Sequence, residues 1–143
     1  MTNILWRYSS TLSALNQMSE NTAVEHLGIL FTEIGEDSLT ATMPVDERTR
    51  QPLGLLHGGA SVLLAETLGS TASTLCIDFP RQQAVGLEIN ANHLRPVRSG
   101  IVTGVVKAIK VGRRNHVWEI RITDEQERLV CISRLTMAIL SED

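Results

Sequence analysis

The feature that most constrains the fold is the run over residues 58–77, which is apolar nearly all round a helix and carries one charged residue, Glu66. A helix without a broad polar face must be buried on most of its sides. Glycine in a helix interior costs about 1 kcal/mol relative to alanine, so Gly69 predicts direct packing against the helix. Asp78-Phe79-Pro80 ends the run, because proline cannot continue a helix. The sequence therefore predicts one long central helix, from about Gly58 to Ile77, enclosed by the rest of the chain.

The flanking segments are predicted from apolar spacing and turn residues. Before the central helix we expect two short helices and a hairpin of two strands, over Thr11–Met18, Asn21–His26, Leu27–Ile34 and Ser38–Pro44. After it we expect four strands, over Ala84–His93, Ile101–Val111, His116–Thr123 and Leu129–Leu140. On the first of these four, the alternation places Val85, Leu87, Ile89 and Ala91 on the apolar face.

Short turns join the last three strands, which is typical of an antiparallel meander. Strands and helices do not alternate, which argues against a parallel doubly wound sheet. The predicted fold class is therefore α+β, with one antiparallel sheet curled around one central helix. We expect residues 1–143 to form a single domain.

Composition excludes several classes of protein. The chain has 143 residues, of which 43% are hydrophobic, enough for one domain with a core. No apolar run reaches the roughly 18 residues of a membrane span, and the first residues lack a signal sequence, so we expect a cytoplasmic protein. Cys76 and Cys131 form no disulfide framework, and no metal-ligand spacing occurs. We expect neither a metal nor a cofactor.

The net charge of −3 argues against nucleic-acid binding. The charges are unevenly spread, however. No acidic residue occurs between Glu88 and Glu119, whereas this interval holds Arg95, Arg98, Lys107, Lys110, Arg113 and Arg114. Such a block fits a small anionic ligand, and the alternative interpretation is a solvated strand face.

The central run also carries candidate chemistry. A carboxylate in apolar surroundings can act as general base or nucleophile; alternatively, Glu66 reaches solvent or pairs with an arginine. Gly58-Gly59 opens the helix, where free backbone N–H groups form a possible oxyanion hole, or simply a tight turn. His57 precedes the glycines and can bind substrate or orient the loop. Ser70, one turn beyond Glu66, can assist the carboxylate.

The spacing within the helix predicts a dimer. Eight residues separate Gly58 from Glu66, or roughly 12 Å along a helix axis. One carbonyl group cannot touch both positions of the same helix. If both act on one substrate, they must come from two subunits whose central helices run antiparallel across a two-fold axis.

Three motifs, QPLGLLHGGASVLLAETLGS, MPVDERTRQP and VGLEINANHLRP, resemble the hotdog-fold acyl-CoA thioesterases. The match is closest to the branch with a helix-borne glutamate, which includes enzymes of menaquinone and enterobactin synthesis. The resemblance implies a double-hotdog dimer, with a homotetramer expected, and hydrolysis of an aromatic acyl-CoA such as 1,4-dihydroxy-2-naphthoyl-CoA. It also implies that coenzyme A enters as part of the substrate.

The resemblance assigns roles to residues at matching positions. Glu66 attacks the thioester or activates water, the Gly58 amide polarises the carbonyl, Gln51 and His57 bind near the thioester, and Ser70 assists. The coenzyme A site is formed by Gly86, His93, Leu94, Arg95, Pro96, Lys110, Val111, Gly112, Arg113, Arg114 and Asn115. The cations would then bind the pyrophosphate and 3′-phosphate. Residues 73–83, which depart from the family pattern, are expected to line the acyl pocket.

Two further functions stay open at this point. The enzyme could release acyl groups from an aryl or acyl carrier protein, whose acidic surface would meet the basic block. A hotdog domain could also bind acyl-CoA without turnover, as a sensor, although the set of Glu66, Gly58 and Gln51 argues against it. A dehydratase is disfavoured, because no histidine lies on the central helix.

Overall fold

The computed structural model describes residues 4–142, so residues 1–3 and 143 of the predicted domain lie outside it. The helices are α1 (Leu12–Met18), α2 (Ala23–His26) and α3 (Gly58–Cys76). The strands are β1 (Leu30–Ile34), β2 (Ser38–Pro44), β3 (Gln82–His93), β4 (Ile101–Val111), β5 (Asn115–Thr123) and β6 (Leu129–Ser141). They form one sheet in the order β1-β2-β4-β5-β6-β3, and every neighbouring pair is antiparallel.

Helix α3 lies across one face of this sheet, as its composition predicts. Leu64, Ala65, Leu68 and Ala72 are fully buried there. The expected close approach to Gly69 is confirmed, because the side chain of Leu135 on β6 occupies the space that a Cβ would need. Gly104 of β4 is approached in the same way by Leu68, at 2.7 Å from an ideal Cβ. Within residues 4–142, no helix is long and apolar enough to cross a membrane.

The first strand begins later than predicted. Helix α2 ends at His26, and Leu27 caps it. Gly28 then adopts a φ of +74°, the left-handed backbone that favours glycine. The prediction of a strand from Leu27 is therefore wrong, because this helix stop and the turn after it occupy residues 27–29.

A bulge in β3 corrects the predicted apolar face of that strand. Gly86 pairs with Met137 and Glu88 with Thr136, so Leu87 is an extra residue. Because a bulge shifts the alternation of side chains, Val85 and Leu87 are exposed at 40% and 65%. Ile89 and Ala91 do pack against the core. The predicted alternation is therefore confirmed beyond the bulge and wrong before it.

Candidate active site

Glu66 lies in the middle of α3 and is half-buried. A Cβ on Gly86 of β3 would stand 2.6 Å from its Oε1, so the glycine leaves room for the carboxylate. No ion pair to Glu66 occurs among the residues that the structure describes. The arginine partner considered as an alternative is therefore not found, and the carboxylate is left available for a ligand.

A pocket of about 460 Å³ opens beside this carboxylate. One wall is α3, with Leu63, Glu66, Thr67, Ser70 and Thr71. The other wall comes from Phe31 and from α1, α2 and the turn between them. None of residues 73–83, from which the acyl pocket was expected, lines this pocket. The N-terminal segment covers that end of α3 instead, since Arg7 N donates to Leu75 O at 2.8 Å and Tyr8 Oη donates to Asp78 Oδ1 at 2.9 Å.

Ser70 shares the pocket with Glu66, one turn further along α3. Its hydroxyl donates to Met137 Sδ of β6 at 3.8 Å, a weak acceptor. The expected bond to the carboxylate is not formed in this single chain. Ser70 therefore lies within the site and retains capacity to bind a ligand or water.

The first turn of α3 forms a different kind of environment. His57 is the N-cap, and its Nδ1 accepts from Gly59 N at 2.8 Å. Ala60 N and Ser61 N donate to His57 O. Gly58 N has no acceptor among residues 4–142. Because Nδ1 is an acceptor here, the neutral ring carries its proton on Nε2. The helix start thus presents two donors, the Gly58 amide and Nε2–H of His57.

Two further predicted residues lie in or near this turn. A Cβ on Gly58 would stand 2.8 Å from Nε2 of His93, so the His93 ring packs against the helix start. Gln51 lies in the preceding loop, and its Oε1 accepts from Leu53 N. Its amide group is folded onto its own loop in this chain. The structure brings His57, Gly58 and His93 together at one end of α3.

The two ends of the site stay apart within one chain, as the spacing predicted. Gly86 contacts Glu66 whereas His93 contacts Gly58, and seven residues of strand span roughly 20 Å. The predicted coenzyme A residues are divided in the same way. The segment His93–Pro96 lies at the Gly58 end, because His93 contacts Gly58. The Lys110–Asn115 turn lies at the Glu66 end, because Val111, His116, Met137 and Gly86 form one row across the sheet.

The basic block is therefore two clusters and not one patch. All six of its cations are exposed, and none forms an ion pair within the described residues. Arg95 and Arg98 precede β4, while Lys110, Arg113 and Arg114 lie at or beyond its end. The sixth cation, Lys107, lies within β4 between the two clusters. The 11 residues of β4 carry the chain across the sheet between them, so proximity in sequence did not give proximity in space.

A buried polar network, which was not predicted from the sequence, lies behind the Glu66 end. His116 is 2% exposed, and its Nδ1 lies 2.9 Å from Ser73 Oγ, which also accepts the indole N–H of Trp118 at 2.7 Å. Burial lowers the pKa of His116, while the Gly112 carbonyl acts in the opposite direction. The signal was present, because His116 stands on the apolar face of its strand.

The fold and the site define a hotdog thioesterase, and comparisons with known proteins agree. The family model described as Thioesterase superfamily matches residues 53–131. The chain belongs to this family and is a thioester hydrolase. The matched span contains the Gly58, Glu66 and His93 positions, so the family assignment rests on the region that builds the site.

Relatives match over nearly the whole chain. The chain is 57% identical over 137 residues to a 1,4-dihydroxy-2-naphthoyl-CoA hydrolase of Escherichia coli, covering 96% of this chain and 100% of that protein. It is 55% identical to the proofreading thioesterase EntH of Cronobacter sakazakii, covering 96% and 99%. A crystal structure of a mutant thioesterase from Pseudomonas aeruginosa superposes with a TM-score of 0.95 at 54% identity, covering 96% and 99%.

Proposed function

We propose that the protein hydrolyses an aromatic acyl-CoA, of the kind represented by 1,4-dihydroxy-2-naphthoyl-CoA, to the free acid and coenzyme A. The observation that carries the proposal is the placement of Glu66, a carboxylate that faces a largely apolar pocket and has no ion-pair partner within residues 4–142. The E. coli relative is named as a hydrolase of this substrate. A role in menaquinone synthesis and a cytoplasmic location are part of the proposal.

The chemistry divides between the two ends of α3. The Gly58 amide polarises the thioester carbonyl and stabilises the oxyanion. Glu66 either attacks the carbonyl carbon or takes a proton from the attacking water. The C–S bond then breaks, and His57 and Gln51 donate hydrogen bonds to the departing thiolate. Where Glu66 has attacked, water hydrolyses the resulting anhydride, which releases the free acid and restores the carboxylate. A thioester is already electrophilic, so one positioned carboxylate and one oxyanion donor suffice.

This division requires a second copy of the chain. The separation of Gly58 and Glu66, roughly 12 Å along the helix, supports a site made by two subunits. The sheet edge supports it as well, because β3 is a 12-residue edge strand with Val85 and Leu87 exposed. A long edge strand presents a row of unpaired backbone N–H and C=O groups, and pairing β3 with β3 of a second copy would satisfy them. Pairing of dimers into a homotetramer is the further expectation.

The dimer also reunites the divided coenzyme A residues. Glu66 and the Lys110–Asn115 turn of one subunit would face Gly58 and His93–Pro96 of the other. Lys110, Arg113 and Arg114 then approach the phosphates of the same coenzyme A that His93–Pro96 contact. These exposed cations form no ion pair in the part of the chain that the structure describes, which leaves them available for the phosphates.

A free-thiol assay over aromatic and aliphatic acyl-CoAs tests the function. We expect the highest kcat/KM with an aromatic acyl group. In Glu66→Ala, turnover should fall about 10³-fold or more while the dimer stays folded, since general base catalysis alone supplies up to about 10⁴. Glu88→Ala, which removes an exposed carboxylate of β3, is the matched control. Turnover by Glu66→Ala close to that of the wild type would refute the assignment.

A second candidate is release of aryl or acyl groups from a carrier protein. The EntH relative is named as a proofreading thioesterase, and the exposed cations could meet an acidic carrier surface. Rates on one acyl group attached to coenzyme A and to a carrier protein separate the two functions. A kcat/KM that is higher on the carrier would favour this candidate.

A further inference from the structure

The pocket beside Glu66 has two walls that are attached to the fold in different ways. Helix α3 forms one wall and is held by the sheet across its length. The second wall is built on α1, of seven residues, and α2, of four. Helices this short are not stable alone. The position of the second wall therefore depends on what binds it to the sheet.

Leu15 of α1 packs in the hydrophobic core, and the adjacent Asn16 supplies the hydrogen-bonded link to the sheet. Its Nδ2 donates to Phe31 O at 3.1 Å, and its Oδ1 accepts from Phe31 N at 2.8 Å. Phe31 lies on β1, the edge strand of the sheet, which pairs with β2 alone. A carboxamide carries the same donor and acceptor as a peptide group. Asn16 thus binds the free edge of the sheet as a short piece of strand would.

No other hydrogen bond of the described structure ties this wall to the sheet. The bonds made by Ser19, Thr22 and the backbone of residues 11–29 stay within that segment. The same region supplies the lining of the pocket, because Leu15 on α1, Ser19 at the C-cap of α1 and Phe31 on β1 all face it. A shift of α1 along β1 would therefore change the width of the pocket.

We propose that Asn16 is a positioning residue for the acyl group. By pairing with both polar groups of Phe31, it fixes the wall formed by α1 and α2 at one distance from α3. That distance decides which acyl groups fit beside Glu66. The inference rests on the proposed function, since it concerns the acyl group of the same thioester substrate.

Two variants separate the two hydrogen bonds between Asn16 and Phe31. Asn16→Leu removes both bonds with a side chain of similar volume, and Asn16→Asp keeps the acceptor but loses the donor. Gln17→Leu alters an exposed neighbour on the same helix and is the control. In Asn16→Leu we expect KM for an aromatic acyl-CoA to rise about tenfold, as for a mismatched apolar pocket. The inhibition constant of free coenzyme A should stay unchanged, because that ligand has no acyl group.

A KM equal to that of the wild type, or a parallel rise in KM and in the coenzyme A inhibition constant, would overturn the role of Asn16. If Asn16→Leu fails to fold, Asn16→Asp carries the same comparison, with a smaller rise in KM expected. Failure of the wild type to hydrolyse any aromatic acyl-CoA would instead refute the proposed function. Calorimetric binding of a free aromatic acid then tests Asn16 by itself, and equal affinity in wild type and variant contradicts it.

Discussion

The two ends of α3 differ in what they offer a ligand. At the Gly58 end, the offered groups are a backbone amide and an imidazole N–H, both fixed by the geometry of the helix start. At the Glu66 end, the offered group is the carboxylate of a flexible side chain, which lies beside a pocket and against Gly86 of β3. The first end is suited to stabilise charge on a carbonyl oxygen, and the second to deliver a nucleophile or a base.

One helix holds both ends, but in an order that keeps them apart. If both act on one substrate, as proposed, neither end is a complete site in a monomer, and activity depends on assembly.

Mixed dimers test whether the ends act between chains. Glu66→Ala and Gly58→Val should each be nearly inactive as homodimers, the second because the added side chain crowds the amide and the His93 ring. Refolded together in equal amounts, they should recover about one quarter of wild-type activity, since half of the dimers are mixed and each has one intact site of two. The measurement is thiol release after mixing.

The control for the mixing experiment is a chain that carries both changes. Mixed with Glu66→Ala, it cannot form an intact site and should recover nothing. Absence of recovery in the first mixture, although mixed dimers are detected by native mass spectrometry, would show that both ends serve the same chain. The dimeric site would then be wrong.

Gly86→Ala tests whether the space left by Gly86 sets the position of the Glu66 carboxylate. A Cβ there would stand 2.6 Å from Glu66 Oε1, and the flexible side chain would move away. We expect kcat to fall about tenfold to a hundredfold, since a displacement of about 1 Å can cost that much. The inhibition constant of free coenzyme A should not change. A rise in that constant with kcat intact would place Gly86 in the coenzyme A site, as the family resemblance implies.

The sequence was sufficient for features that depend on local pattern or on distance along one helix. The burial of α3, the meander of β4 to β6 and the separation of Gly58 from Glu66 are of this kind. Each of these three features needed only the order of residues, the period of the element and the rise per residue. The roles of the residues were implied by the family motifs alone.

The remainder depends on how separate elements align. The contact of Gly86 with Glu66 follows from the position of β3 beside β6, and a bulge at Leu87 shifts the alternation there. Gly86 inside a strand was a usable signal, because glycine in a strand often marks close approach. No such signal showed that α1 and α2 form the second wall of the pocket, since short helices do not identify their neighbour. The separation of the cations into two clusters could not be predicted without knowing the path of β4 across the sheet.

The buried network behind the Glu66 end gives the smallest expected effect, on stability. Burial lowers the pKa of His116, so the unfolded chain binds more protons than the folded one as pH falls past the ordinary histidine value of 6.5. Stability should therefore be full above that value and decline below it. His116→Gln keeps a hydrogen-bonding group near Ser73 but cannot titrate. Its free energy of unfolding should change less between pH 7 and pH 5 than that of the wild type.

His26→Gln, at an exposed histidine, is the control and should leave unchanged the dependence of unfolding free energy on pH. Equal slopes in wild type and His116→Gln would show that His116 does not set the acid sensitivity. Since Gly112 lies in the turn expected to bind coenzyme A, a rise in KM on acidification that is absent in His116→Gln would extend the effect from stability to the Glu66 end of the site.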